Sequence, residues 1–317
     1  MAKKTKTQEK KVNFDFFQVW SKTAEEEKVF DMDDWVEKLP SGKLEERNIR
    51  YNGDIIRCDN YYVTHPEKNP FTLLHFTRLR NSSAPAVASI NVPELNDVDL
   101  KEDEYIAEDV SSLFDYTNSV LMFQRNAFSL SIASLAEYVN FFWNRGRAEN
   151  ELELIEFRPI LRKDAFKAGL GTKHINKFSF KTANIVPGSG FKLFQGALGS
   201  TIDAMEKYSG VSIEVTISTR RSKKSVLDRS EVVETIKAIQ QQQTLFKKAT
   251  VVSGDSGKSV PIELINGRVE TYQIFNVPLK AYLDPETVQQ DMNEIYSSDE
   301  ENFKATVDKN LNAKPTE

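Results

Sequence analysis

Cysteine and histidine are scarce in this 317-residue chain, which has one Cys (Cys58) and three His (His65, His75 and His174). A lone thiol cannot form an internal disulfide, and this set cannot assemble a thiolate zinc site. Long apolar runs are missing too. No segment approaches the roughly 18 consecutive apolar residues of a membrane-spanning helix. The basic start, Met1 to Lys11, leads into no hydrophobic signal region. A soluble, reducing, cytoplasmic setting is the expectation. Nor is there an excess of positive charge: 42 Lys+Arg stand against 47 Asp+Glu, a net charge of −5. That excludes a globally basic nucleic-acid coat but leaves room for a local basic patch.

The composition does supply a core. Hydrophobic residues make up 39% and charged residues 28%, which excludes wholesale disorder. At roughly 100–200 residues per domain, the length suggests two. Residues 1–11 carry five lysines, one glutamate and no periodic apolar anchor, so they read as a mobile tail. Residues 297–317 read likewise, with Phe303, Val307 and Leu311 as their sole apolar anchors. Between these tails, a boundary near Arg145-Gly146-Arg147 divides a subdomain at 12–147 from one at 148–296.

Hydrophobic periodicity places the elements. Strands are expected at Val12–Trp20, Asn48–Val63 with a break near Gly53, Phe71–Arg80, Ser119–Asn126, Glu151–Ile160 and 211–218. A short helix runs from Asp31 to Leu39, its first-turn acids suited to the helix dipole. Ser134 with Glu137 forms a capping-box pattern ahead of Leu135, Val139 and Phe142. Leu198, Ile202 and Met205 suggest a helix over 197–208. Another runs from Ser230 to about Gln243, burying Val233, Ile236 and Ile239. Asp284-Pro285-Glu286 opens the last helix, with Val288, Met292 and Ile295 as its apolar stripe. Residues 163–194 are ambiguous. Hairpins mixed with single helices imply an α+β fold, with mixed or antiparallel sheets and helices packed on one face, rather than an alternating parallel sheet.

Several patterns invite a chemical reading. Gly254-Asp-Ser-Gly-Lys-Ser259 resembles a phosphate-binding loop, but Val252 stands where the first glycine belongs. The adjoining segment, Ser259 to Leu264, reads as a strand, so a hairpin turn is the expectation; Asn266-Gly267 then leads into a strand over Val269–Val277. The basic loop Arg220-Arg221-Ser222-Lys223-Lys224, with Arg229 behind it, links the 211–218 strand to a helix start. Cations there suit phosphate oxygens, and the lysine-rich start could add a second electrostatic arm. A metal-dependent nuclease arrangement of acids and a lysine on adjacent strands is incomplete. Thr216 holds the lysine place after Glu214, and Glu151, Glu153 and Glu156 have no lysine at the required spacing. No histidine has a spaced carboxylate or second histidine beside it in sequence. Cys58, between Arg57 and Asp59, is either a reactive or a structural thiol. Residues 94–109 hold eight acids against one base, Lys101, and read as a solvated linker or a binding segment for a basic partner.

Glu108-Asp109, Ser111 to Asp115, Asn118 and Val120 to Asn126, continuing into Leu130–Asn140, resemble an uncharacterised bacterial and phage family of unknown function. Arg125 reads as the polar end of a buried strand, paired with an acid such as Asp115. The layout of a strand-rich first half, then strand, basic loop and helix, is similar in architecture to the DNA-binding subunit of the Kiwa antiphage system. That resemblance implies antiviral defence or mobile-element biology and carries no catalytic residue across. The resulting expectation is a non-catalytic, nucleic-acid-associated component needing no cofactor or metal. It would hold DNA or RNA phosphates through Arg220, Arg221, Lys223, Lys224 and Arg229, with low base specificity. The alternatives are a protein-interaction subunit, using 94–109 or the open face of 211–218, and a metal-dependent nuclease.

Overall fold

The computed structural model describes residues 6–64, 71–80, 85–182, 212–219, 226–241, 246–253, 260–265, 267–298 and 303–311. Two compact units divide the chain: residues 1–160 with 269–317, and residues 161–268. The second is thus an insertion into the first. The boundary expected at 147–148 lies inside the first unit. The strand expected at Glu151–Ile160 lies beyond that boundary in sequence, but its hydrogen bonds run to the first strand of the protein.

The first unit is built on β1 (Thr7–Lys22), a long strand that begins well before its apolar residues. A short β2 (Glu27–Val29) and α1 (Met32–Val36) come after it. The Asp31 side chain caps α1 by accepting from the Asp33 N–H. Next come a 3₁₀ turn (Leu44–Arg47), β3 (Ile49–Tyr51) and β4 (Asp54–Val63). Asn52 and Gly53, both at positive φ, make the tight turn between β3 and β4, which is why the expected strand breaks there. Then come β5 (Phe71–Arg80), β6 (Val87–Ser89), β7 (Val92–Asn96), β8 (Ile106–Asp115), β9 (Val120–Arg125), α2 (Ile132–Trp143) and β10 (Leu154–Pro159). The capping box of α2 sits one turn earlier than the sequence suggests: the Ser131 hydroxyl accepts from the Ser134 N–H at 3.2 Å and Ser134 accepts in return at 2.8 Å. β10 starts three residues later than expected because 149–151 form a 3₁₀ turn.

Within the inserted unit lie α3 (Ala165–Gly171), β11 (Ile175–Thr182), β12 (Glu214–Ser218), α4 (Arg229–Gln241), β13 (Phe246–Ser253) and β14 (Val260–Glu263). The chain then returns through β15 (Glu270–Pro278), α5 (Pro285–Ser297) and α6 (Phe303–Asn310). Asp284 caps α5 by accepting from the Thr287 N–H at 3.0 Å, with Pro285 in the first turn, as the sequence indicates.

Every strand pairing among the described residues is antiparallel. The nine-stranded sheet runs β10-β1-β9-β8-β5-β4-β3, with β2 and β15 also paired to β1. This establishes the α+β class. Helices, however, cover both faces of that sheet. Leu121 and Phe123 pack with α1 and α2, while the alternate residues Val120 and Met122 pack with α5 and α6. Successive strand residues point to opposite faces, so one sheet supplies two cores. The expectation of helices on one face is corrected accordingly.

Both terminal expectations change as well. Thr7 to Lys11 pair with Pro278 to Ile274, and the Leu279 N–H donates to the Lys6 carbonyl at 2.9 Å. Backbone pairing does not need apolar side chains, so this stretch is strand rather than tail. At the other end, Phe303 stacks on Phe16 at 5.0 Å and Val307 and Leu311 are buried. Their four-residue spacing is that of a packed helix.

The inserted unit has its own four-stranded sheet, β12-β11-β13-β14, covered by α3 and α4. Val232, Ile236 and Ile239 of α4 are buried; Val232, not the expected Val233, faces the core. At the base of the insertion the Val269 N–H donates to the Ile160 carbonyl at 2.7 Å, and the Arg162 N–H donates to the Gly267 carbonyl at 2.8 Å. The outgoing and returning segments are therefore held side by side.

Candidate functional site

The two units differ sharply in charge. Residues 161–268 contain 18 Lys+Arg and 9 Asp+Glu, a net charge of +9. The remainder holds 24 Lys+Arg and 38 Asp+Glu, a net charge of −14, and the two add to the −5 of the whole. The mild average conceals a basic module inserted in an acidic body. Segregation of that size makes the inserted unit strongly electropositive.

Inside the basic unit, a cavity of about 460 Å³ opens beside α3. Arg162, Lys163 and Lys167 supply cations to its lining; Asp164 is the one carboxylate, and Gln240 of α4 adds an amide. Leu161, Phe166 and Leu264 give apolar wall, and Gly267 completes it. Local sequence explains the arrangement. Ala165 and Gly169, four residues apart on α3, turn inward and are buried, which leaves Phe166 and Lys167 for the cavity side. A Cβ on Gly169 would lie 2.5 Å from Leu264, and one on Gly267 would lie 2.1 Å from the Glu263 carbonyl oxygen. Both glycines thus permit close backbone approach.

Arg162 is half-buried, and among the described residues its guanidinium has no hydrogen-bond or ion-pair partner. This planar donor fork is thus available to the oxygens of an anionic ligand. No motif in the sequence marks Arg162, Lys163 and Lys167; the usable signal was their spacing, a cation pair just before a helix and a third one turn on.

Of the sequence-derived phosphate ligands, Arg220, Arg221, Lys223 and Lys224 lie outside the described residues. Arg229 opens α4 and donates to the Thr172 carbonyl at 3.0 Å and the Leu170 carbonyl at 2.6 Å, tying α4 to the end of α3. The 197–208 segment and the Gly254–Ser259 motif also lie outside. The strands flanking that motif are antiparallel neighbours, with Ser253 opposite Val260. A strand, not a helix, comes after the motif, as expected for a hairpin.

Three of the four carboxylates considered for metal chemistry are engaged elsewhere. Glu153 accepts from Ser21 and, at 2.6 Å, from Arg147; burial pushes its carboxyl up, but these two partners outweigh burial and hold it below the usual range. Glu156 pairs with Arg158 at 2.5 Å, and exposed Glu214 lies 3.6 Å from Lys181. No group of three metal-ligating side chains is found among the described residues.

Strand pairing brings together groups that sequence separates. His75 Nε2 lies 3.2 Å from Asp109, and its Nδ1 lies 3.7 Å from Asp59. Asp59 falls at a bulge between Cys58 and Asn60 and also accepts from Arg57 and Thr77. His75 is thus a partnered strand histidine, its carboxylates supplied by neighbouring strands rather than by nearby sequence. Arg125 pairs with Asp15 and Glu270, not with Asp115. Asp115 is fully buried and instead accepts from Tyr296 at 2.9 Å and from Lys304 at 2.8 Å. Cys58 is buried as well, and burial pushes its thiol up to about 12, which makes it structural.

No helix among the described residues is long and apolar enough to cross a membrane. No curated protein matches the chain. A family of unknown function, DUF6731, matches it over residues 7–307.

Proposed function

The chain belongs to DUF6731, a family of unknown function, and from its physical features we propose that it is a binding component whose inserted unit holds nucleic acid by its phosphates. The observation that carries this reading is the +9 charge of residues 161–268 within a chain of net −5. Arg162, Lys163 and Lys167 converge on one cavity of that unit, and the basic loop Arg220, Arg221, Lys223 and Lys224 belongs to the same unit. Such contacts position a ligand without reading its sequence. The setting in antiviral defence or phage biology rests on the resemblance seen in the sequence.

Titrating labelled DNA and RNA across a salt series tests this. Each phosphate contact on a duplex should contribute about −0.9 to the slope of log K against log salt, so the four loop cations give roughly −3 to −4. Reversing Arg221 and Lys224 to Glu should weaken binding and flatten the slope. Unchanged affinity with an unchanged slope rejects the reading.

A second reading, protein docking, is favoured by the β6–β7 hairpin. Residues 85–97 are all exposed; Ile90 is 98% and Leu95 72% accessible. Eight acids at 94–109 border this apolar arm. The partner it suits is a protein with an apolar groove and a basic rim.

A further inference from the structure

Taking the inserted unit as a phosphate binder, we infer that its cavity takes one terminal phosphate monoester carried by a nucleotide, rather than the phosphodiesters of a continuous backbone. Shape is the first reason. A recess of about 460 Å³ falls in the range of roughly 300–1,000 Å³ typical of small-molecule sites. A duplex backbone is a convex rod and has no way into it, whereas a chain end or a free nucleotide does.

Charge is the second reason. Three cations and one carboxylate leave the lining with a net charge of +2. A phosphate monoester carries about −1.5 to −2 near neutral pH. A diester carries half of that and matches this formal sum less closely.

Geometry supplies the third. The half-buried Arg162 guanidinium, without an acceptor among the described residues, presents a rigid donor fork that matches two phosphate oxygens at once. Lys167, exposed one turn along α3, reaches the same space as a mobile point charge. Leu161 and Phe166 add apolar side chains to the same lining, against which a base can pack. The lining thus combines cations for a phosphate with apolar contact for a base.

The experiment compares four probes on the full-length protein: a 5′-phosphorylated single-stranded oligonucleotide, the same oligonucleotide with a 5′-hydroxyl, adenosine monophosphate and adenosine. The phosphorylated oligonucleotide should bind about tenfold tighter than the hydroxylated one, and the monophosphate should compete where adenosine does not. Arg162→Ala and Lys167→Ala should each shrink that gap while leaving the melting temperature unchanged. Neither side chain packs in the core, so the variants are expected to fold. Equal binding of the two oligonucleotides, undisturbed by Arg162→Ala, overturns this inference and leaves general phosphate binding standing. Arg162-dependent binding of the monophosphate without retention of either oligonucleotide upholds the monoester site and overturns the nucleic-acid reading. Failure of all four probes overturns the monoester site, and the salt titration on duplex decides the wider reading separately.

Discussion

Asn140 and Ile155 hydrogen-bond to each other twice: the Asn140 amide donates to the Ile155 carbonyl at 2.8 Å, and its oxygen accepts from the Ile155 N–H at 2.8 Å. Asn144 repeats the pattern with Glu153, at 2.8 and 3.0 Å. The two periodicities explain the fit. Four residues of helix rise about 6 Å, and two residues of strand span about 6.6 Å. The two asparagines therefore sit in register with alternate peptide groups. The outer edge of β10, which has β1 on its other side, is closed by a helix acting as a strand. Exposed edges invite pairing with other chains, so this contact serves solubility as well as stability.

Replacing Asn140 by Ala should therefore destabilise the first unit. Ile155 is 1% exposed, so its N–H and C=O would be orphaned away from water, at about 1–3 kcal/mol for each group. Asn144→Ala should cost less, because Glu153 is only half-buried. Denaturant titration of both variants checks the order; equal and negligible losses would show that the edge does not depend on these amides.

Asp115 anchors the C-terminal helices. Tyr296 of α5 and Lys304 of α6 both reach it, and Asn118 bridges from Asp115 at 3.2 Å to Asp308 of α6 at 2.8 Å. Burial raises the Tyr296 phenol well above its ordinary value, so it stays a donor throughout the working range. Asp115→Ala would leave the buried Tyr296 phenol without its acceptor and the Lys304 ammonium without its carboxylate. Breaking one side of a buried pair typically costs about 3–5 kcal/mol. Hydrogen exchange should show the loss concentrated in α5 and α6.

How much of this was legible in sequence depended on whether the cause was local. The start of α5 was legible because cap, proline and acid are adjacent, and the β3–β4 turn because Asn52-Gly53 demands it. β5 was legible from its apolar run, Phe71 to Arg80. The strand Thr7–Lys11 was not, since its stability comes from a partner near residue 276 rather than from its own side chains. The insertion was hidden for the same reason: Ile160 and Val269 meet across 109 positions. So was the Asp59–His75–Asp109 cluster, assembled across three strands. Arg162 looked like one charge among many until the fold gave it a cavity and no partner.

Asp31 and Asp33 should make stability depend on pH. Burial, aided by neighbouring carboxylates, raises both above the ordinary value of 3.8. Between that value and the raised one, the folded state holds protons that the unfolded state has released. Their contribution is therefore full at lower pH and is lost as pH rises through the folded value. Asp33→Asn retains an oxygen for the Thr72 hydroxyl but cannot ionise. The variant should gain on the wild type as pH increases from about 4 to 7. A difference that is flat across that interval would show that the two carboxyls ionise alike in both states.

The Cys58 thiol, pushed up to about 12 by burial, should resist a thiol reagent in the folded protein at about pH 8 and react at once in denaturant. The rate of labelling then reports opening of the sheet. Tyr138 makes that readout specific, because its hydroxyl accepts from the Cys58 N–H at 2.9 Å and donates to the Arg47 carbonyl at 2.8 Å. Tyr138→Phe keeps the ring packed and removes both bonds. It should accelerate labelling without unfolding the chain, with the melting temperature as the control. Rapid labelling of the native wild type would contradict the burial of this core.

The β6–β7 hairpin presents the opposite problem, apolar residues with nothing over them. A two-stranded hairpin alone is marginal in water, and this one forms its own small sheet. Pro93 within β7 removes one donor from its edge, and the acids next to it in sequence oppose self-association, so the arm carries features that limit non-specific pairing while leaving Ile90 and Leu95 at the surface. If those side chains serve binding rather than packing, Ile90→Lys and Leu95→Lys should change stability by no more than about 0.5 kcal/mol. They should also lower binding of a hydrophobic dye to the native protein. A loss of stability well above that figure would mean the arm is packed against the rest of its unit, and the docking reading would fall with it.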